Sequence, residues 1–179
     1  MGLEFVKTEF DGLYIIRSHI YEDFRGEYEK HYEANAFRKM GLREMFTESS
    51  DLYTKKGAIR GLHYQVREEQ AKLVRVVCGK TFDVAVDMRR DSKTFLKHFS
   101  IVLSGDDGIG VYIPEGFAHG FLALEDNTIF SYHSSGKYMP EYCGGLRWDD
   151  PKLNIKWPIE EYYIRELLIT EKDKNWELL

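Results

Sequence analysis

This sequence predicts an all-β fold, a sandwich or barrel of many short strands. Three observations carry that reading. Short runs rich in β-branched and aromatic residues recur along the chain, which holds 12 Tyr and 11 Phe. Turn-prone clusters separate the runs. No strand–helix–strand alternation interrupts them, so a dinucleotide-binding sheet is not expected, and neither GxGxxG nor a P-loop string occurs. At 179 residues the chain suits one domain, 1–179, with a sizeable core.

The predicted strands are, in order, Leu13–Ser18, Gly26–Tyr32, Ala58–Tyr64, Lys72–Cys78, Thr81–Met88, Phe95–Leu103, Gly110–Ile113, Gly120–Ala123 and Thr128–Ser134. Cys78-Gly79-Lys80, Ser104-Gly105-Asp106-Asp107-Gly108 and Glu125-Asp126-Asn127 supply turns between them. A helix is predicted over Glu33–Met40, stopped by Gly41. A second helical region is predicted near Glu160–Leu168.

Composition narrows the function. Net charge is −5, so nothing global points to nucleic acid or an acidic membrane. An anionic substrate needs a local basic pocket instead. Cys78 and Cys143 are too few for a disulfide scaffold and read as small thiols in a reducing compartment. No apolar run approaches the roughly 18 residues of a membrane span. No basic region followed by an apolar one opens the chain. A cytoplasmic location is expected.

The chemistry concentrates in Arg60-Gly61-Leu62-His63-Tyr64-Gln65, Lys72, and Ile113-Pro114-Glu115-Gly116-Phe117-Ala118-His119-Gly120. Strand side chains alternate, so His63 and Gln65 are expected on one side and Tyr64 on the other. A neutral imidazole takes a proton, and an ammonium holds the oxyanion that results. Asp83 and Asp87 share a face opposite Val84 and Val86. Two readings stay open for them: inward acids that orient a histidine, or a solvated outer face. His119 follows a shaped Pro–Gly turn, and Tyr132 offers a phenol as a proton donor. No HxH occurs, and the position two after His63 is Gln65, so no metal is expected.

Taken together, these blocks resemble the dTDP-4-dehydrorhamnose 3,5-epimerase family. The likeness runs nearly end to end. Its anchors are Asp23-Phe24-Arg25-Gly26, the 60–65 string, Gln70–Val77, Phe82–Asp87, Ile113–Gly120, Arg147–Pro151, Ile155–Pro158 and Thr170-Glu171-Lys172-Asp173. The resemblance implies a cupin-like jelly roll with a few short peripheral helices, a homodimer, and catalysis without metal or redox cofactor. It implies removal of protons from C3 and C5 of a 4-keto-6-deoxy sugar carried on a nucleoside diphosphate.

By resemblance, His63 is the base, Asp173 its dyad partner and Tyr132 the acid on the opposite face. Lys72 covers the C4 oxygen, and Asp83 is a second carboxylate near the base. Arg60 and His119 line the sugar and phosphate pocket, and Arg25 reaches phosphate across the dimer. Tyr28, Lys30, Glu48, Ser50, Gln65, Tyr138 and Lys172 complete the implied substrate contacts.

Departures fall among the nucleotide-reading positions. Typical members carry Gln and Asn where this chain has Glu48 and Ser50, and Glu where it has Lys30. Lys137-Tyr138 stands where Tyr-Tyr is usual. Thymidine remains the expected base, with a CDP-, GDP- or UDP-linked sugar as the alternative. Lys30 and Glu48 would otherwise pair with each other. Inversion at one carbon, a cupin 3,4-ketoisomerase and a non-catalytic sugar-binding jelly roll are the competing functions.

Overall fold

The computed structural model describes residues 2–179. In chain order the strands are β1 Leu3–Lys7, β2 Tyr14–Ser18, β3 Ile20–Asp23, β4 Gly26–Glu29, β5 Glu48–Thr54, β6 Ile59–Gln65, β7 Lys72–Cys78, β8 Lys80–Asp87, β9 His98–Ser104, β10 Ile109–Ile113, β11 Phe117–Ala123, β12 Thr128–Ser134 and β13 Cys143–Gly145. Helix α1 is Ala34–Lys39 and α2 is Glu171–Lys174.

Two antiparallel sheets form a jelly roll. One runs β1-β2-β10-β7-β12-β5 and the other β13-β6-β11-β8-β9. Between them Val74, Val76, Val111, Ile113 and Phe130 of the first meet Ala85, Leu103, Phe117 and Phe121 of the second. Burying such side chains contributes roughly 1.5–3 kcal/mol each. Polar residues replace this apolar set where β5, β6, β7, β11 and β12 line a cleft. That cleft holds the site.

Both sheets also have covered outer faces. Phe37 of α1 packs with Ile16, Leu73 and Tyr112 on the six-stranded sheet. Residues 146–169 wrap the five-stranded sheet, with Leu146 and Leu153 against Leu62, Val84 and Val86. Every residue of β11 is therefore buried. Beside the roll, β3 and β4 make a separate hairpin whose tip carries Phe24, 98% exposed.

The helix predicted near Glu160–Leu168 does not form. That stretch is turns and extended chain, with a parallel bridge from Leu168 to Ala58. Tyr163 has φ of 52°, which a helix interior does not accept. Its apolar residues Tyr162, Ile164 and Leu167 instead pack on Ile59 and Leu122. Strands β1, β3, β5 and β13 were not predicted. β5 reads Glu-Ser-Ser-Asp-Leu-Tyr-Thr, too polar to signal a strand, because it is an edge. Predicted Gly26–Tyr32 is shorter, ending at Glu29. No helix among the described residues is long and apolar enough to cross a membrane.

Candidate active site

The site is built on the pairing of β6 with β11. In that register His63 lies directly opposite His119. The strands touch closely because two glycines face each other. A Cβ on Gly61, at φ of 127°, would lie 2.5 Å from the Gly120 Cα. A Cβ on Gly120 would lie 2.6 Å from the Arg60 carbonyl oxygen. Between Arg60 and His63 the register gains one residue, a β-bulge that turns these side chains toward the cavity.

Each histidine has its own carboxylate. His63 Nε2 is 2.6 Å from Asp173 Oδ1, and His119 Nε2 is 2.8 Å from Asp83 Oδ2. Asp173 arrives from far along the chain. Thr170 caps α2, its Oγ1 accepting from the Asp173 N–H, and this short helix lies against β6. Burial alone would raise the Asp173 pKa. The hydrogen bond from His63 and that ring's charge, with the Thr170 hydroxyl and the Trp176 indole close by, outweigh it and leave the carboxyl below its usual value. Such a partner fixes the tautomer and aim of His63.

Asp83 and Asp87 are both fully buried, which removes the reading of a solvated outer face. Val84 and Val86 lie on the opposite face, as alternation requires. Asp83 orients His119 rather than His63. Its second oxygen, Oδ1, is buried with no hydrogen-bond partner. Asp87 serves the fold, accepting from Arg89, Ser92 and Thr94.

A cleft opens beside these groups. Of the predicted site residues it brings together Glu48, Arg60, His63, Gln65, Lys72 and His119, joined by Tyr132, Tyr138 and Lys172. Tyr132 comes from β12 on the facing sheet, with Ser50 and Val74 as its cross-strand neighbours. Lys72 also comes from that sheet, on β7. Burial pushes its pKa down to about 8, against the opposing pull of Asp83 and Cys143. Phe130 stacks under His119 at 5.9 Å and on Phe121 at 4.1 Å, making an apolar floor. The cleft can therefore present a base, an acid and a cation to one small polar ligand.

Other predicted residues lie elsewhere or do other work. Tyr64, expected to face away from His63 and Gln65, also lines the cleft. Gln65 uses its amide on backbone, donating to the Glu68 carbonyl and accepting from the Met139 N–H. Lys30 pairs with Glu33 at 3.5 Å, and Glu48 accepts the Tyr138 N–H at 3.2 Å. Lys30 and Glu48 thus do not pair with each other within the chain. Arg25, Tyr28, Lys30 and Ser50 do not line this cleft. Arg25 sits at the hairpin tip, bonded to Asp23.

Sequence reasoning missed Glu69, Gln70 and Cys143, which line the cleft. Gln70 had a signal, opening the Gln70–Val77 block that holds Lys72. Cys143 had none. Among the described residues no group of three or more His, Cys, Asp and Glu is gathered as a metal site.

Comparison with known proteins identifies the family. Residues 7–179 match the family model described as dTDP-4-dehydrorhamnose 3,5-epimerase. The chain is 43% identical to the dTDP-4-dehydrorhamnose 3,5-epimerase of Methanothermobacter thermautotrophicus, over 98% of this chain and 94% of that protein. It superimposes on dTDP-6-deoxy-D-glucose-3,5-epimerase from Legionella pneumophila, crystallised with dTDP-4-keto-L-rhamnose, with a TM-score of 0.93. Identity there is 35%, covering 99% of this chain and 93% of the other. A 3'-monoepimerase from Streptomyces bikiniensis, in complex with dTDP-quinovose, is also similar. It gives a TM-score of 0.88 at 28% identity, over 96% of this chain and 85% of its own.

Proposed function

The chain belongs to the dTDP-4-dehydrorhamnose 3,5-epimerase family, and from that premise we infer how its residues divide the work. It is an isomerase that inverts C3, C5 or both of a nucleoside-diphosphate-linked 4-keto-6-deoxy sugar. The substrate is dTDP-4-dehydro-6-deoxyglucose and the product dTDP-4-dehydrorhamnose.

Both carbons are α to the C4 carbonyl, so loss of either proton gives an enolate with charge on the same oxygen. His63 removes the proton. Asp173 holds the ring in the tautomer that leaves one nitrogen free and steadies the imidazolium that forms. Lys72 holds the C4 oxyanion in a desolvated position, where a charge is worth most. Tyr132 delivers a proton to the opposite face, and the configuration inverts. His119, oriented by Asp83, and Arg60 bind the sugar and diphosphate. The observation that carries this reading is the bonded His63–Asp173 pair on one sheet with Tyr132 on the other.

The family match across 7–179 supports treating 1–179 as one catalytic domain. The hairpin supports a homodimer. Its tip projects Phe24 and Arg25 into solvent, with the Arg25 side chain 75% exposed, away from its own cleft. In a dimer that tip supplies Arg25 and Tyr28, with Lys30 close behind, to the other copy's nucleotide diphosphate. Glu48 and Ser50 on β5, with Tyr138 and Lys172, complete the substrate contacts. We place the enzyme in the cytoplasm, a reading that its two free cysteines support.

The test is incubation with dTDP-4-dehydro-6-deoxyglucose in D2O, read by NMR. Deuterium entering C3 and C5 with formation of the epimer is expected. Entry at C3 alone identifies a single-carbon epimerase, and no entry at either carbon overturns the reading.

A further inference from the structure

The C-terminal residues carry one large side chain that the mechanism above does not use. Trp176 follows α2 and is half-buried beside the dyad. Its ring meets His63 edge-on, with centroids 6.4 Å apart and planes at 67°. Its indole N–H is buried and makes no hydrogen bond of good geometry, yet it lies near enough to Asp173 to favour the carboxylate. The Lys172 ammonium sits 5.4 Å from the ring centroid and 3.6 Å from Cys143 Sγ, at the cleft wall. Finally, β13 makes room for the indole. A Cβ on Gly145 would lie 2.1 Å from the indole Cε2, and Gly145 is the register partner of His63.

We propose that Trp176 is a positioning residue for the reaction, wedged between Gly145 and α2 so that one indole fixes the His63–Asp173 pair and the aim of Lys172. This rests on the assignment of that pair as the catalytic base. α2 has four residues, too few to hold a carboxylate in place by itself. The wedge supplies the missing constraint. The edge of an indole is its positive rim, and its N–H is a donor only, so both suit a neighbouring carboxylate. Its face is negative and suits the Lys172 ammonium. One side chain therefore satisfies the two opposite charges that flank it. Gly145 has no unusual φ, so the need for glycine there comes from the indole rather than from the backbone.

The experiment is a double-mutant cycle with Trp176→Ala and Gly145→Ala, plus Trp176→Phe. Each is followed by kcat, KM, C3 and C5 exchange in D2O, and the pH profile of kcat/KM. Trp176→Ala lowers kcat about tenfold or more through lost orientation and raises KM through loosened Lys172. Gly145→Ala displaces the same ring and has a similar effect. In the Trp176→Ala background, Gly145→Ala adds little, because nothing is left to displace. Trp176→Phe keeps a ring under Lys172 and so nearly restores KM. It lacks the N–H beside Asp173, so the acid limb of kcat/KM moves up by about half a pH unit. A structural role alone would leave that limb in place while Tm fell.

Independent, multiplicative losses in the cycle, or an unmoved acid limb and normal kcat in both Trp176 variants, overturn the proposal. His63→Asn separates this from the site assignment. If that variant still exchanges, the dyad is misassigned. If it does not exchange while the Trp176 variants behave as wild type, only the wedge is wrong.

Discussion

His63 and Tyr132 stand on opposite walls of one cleft, the first on β6 of the five-stranded sheet and the second on β12 of the six-stranded sheet. A sugar ring lying between the sheets would show one face to each. Inversion needs that arrangement, because the proton must leave from one side and return from the other. The two sheets of the jelly roll place the two groups on facing walls.

Replacing His63 by Asn keeps a polar side chain of similar size but removes the titrating nitrogen. Turnover should fall by at least about 100-fold, the scale of a general base. Binding of dTDP, measured by calorimetry, should change far less. Near-normal exchange in D2O by His63→Asn would exclude it as the base.

Lys72 should give the enzyme a basic limb. Its pKa is pushed down to about 8 by burial, so the ammonium is lost as pH rises through that value. Wild-type kcat/KM should therefore decline above about pH 8. Lys72→Arg keeps a charge that does not titrate there, so its smaller activity should stay level across the same range. Lys72→Met should cost on the order of 100- to 1000-fold in kcat at all pH values. An identical limb in Lys72→Arg would assign it to another group.

The homodimer can be tested by complementation. Arg25→Ala and His63→Asn should each be poorly active alone. If Arg25 crosses to the partner, a mixed dimer contains one site with both residues intact. Unfolding and refolding the two variants together should then recover part of the wild-type rate. No recovery, with mixed dimers verified by mass spectrometry, would mean that Arg25 acts in its own chain or not at all.

Acid stability should depend on His31. It lies 3.0 Å from Glu29 and 3.2 Å from Ser18 Oγ, on the outer side of the six-stranded sheet near Arg75 and His133. Burial first, then the Arg75 and His133 charges, lower its pKa to about 4. The unfolded chain binds this proton more readily, at the ordinary value near 6.5. Stability is thus fully present above that value and lost as pH falls toward 4. The urea midpoint of wild type should drop more between pH 7 and 5 than that of His31→Gln. Equal drops would place the acid sensitivity elsewhere.

Much of this was legible in the chain. Lys72–Cys78 and Thr128–Ser134 formed at their predicted boundaries because they are interior strands with strong β-branched and aromatic content. β5 was not legible, being polar on an edge, nor was β3, which pairs only with β4 in a hairpin outside the roll. At the site, alternation foretold that Asp83 opposes Val84. It did not foretell which histidine Asp83 would hold, because the register of β8 against β11 decides that. Asp173 lies 110 positions from His63, beyond any local pattern, and was reached only through the family resemblance. Cys143 carried no signal, since β13 is three residues long and pairs across a distant stretch of chain, and Trp176 carried none because its packing partner Gly145 lies far from it in the chain.

The division of labour between His63 and Tyr132 is most directly tested by Tyr132→Phe in D2O, with substrate deuteration and epimer formation followed together by NMR. Under the proposed assignment the variant keeps its base and loses only the opposite donor. Deuterium should still enter at C3 or C5 with retained configuration, while epimer formation falls by about 100-fold. Equal loss of exchange and inversion would contradict the account and make Tyr132 a binding group rather than the acid.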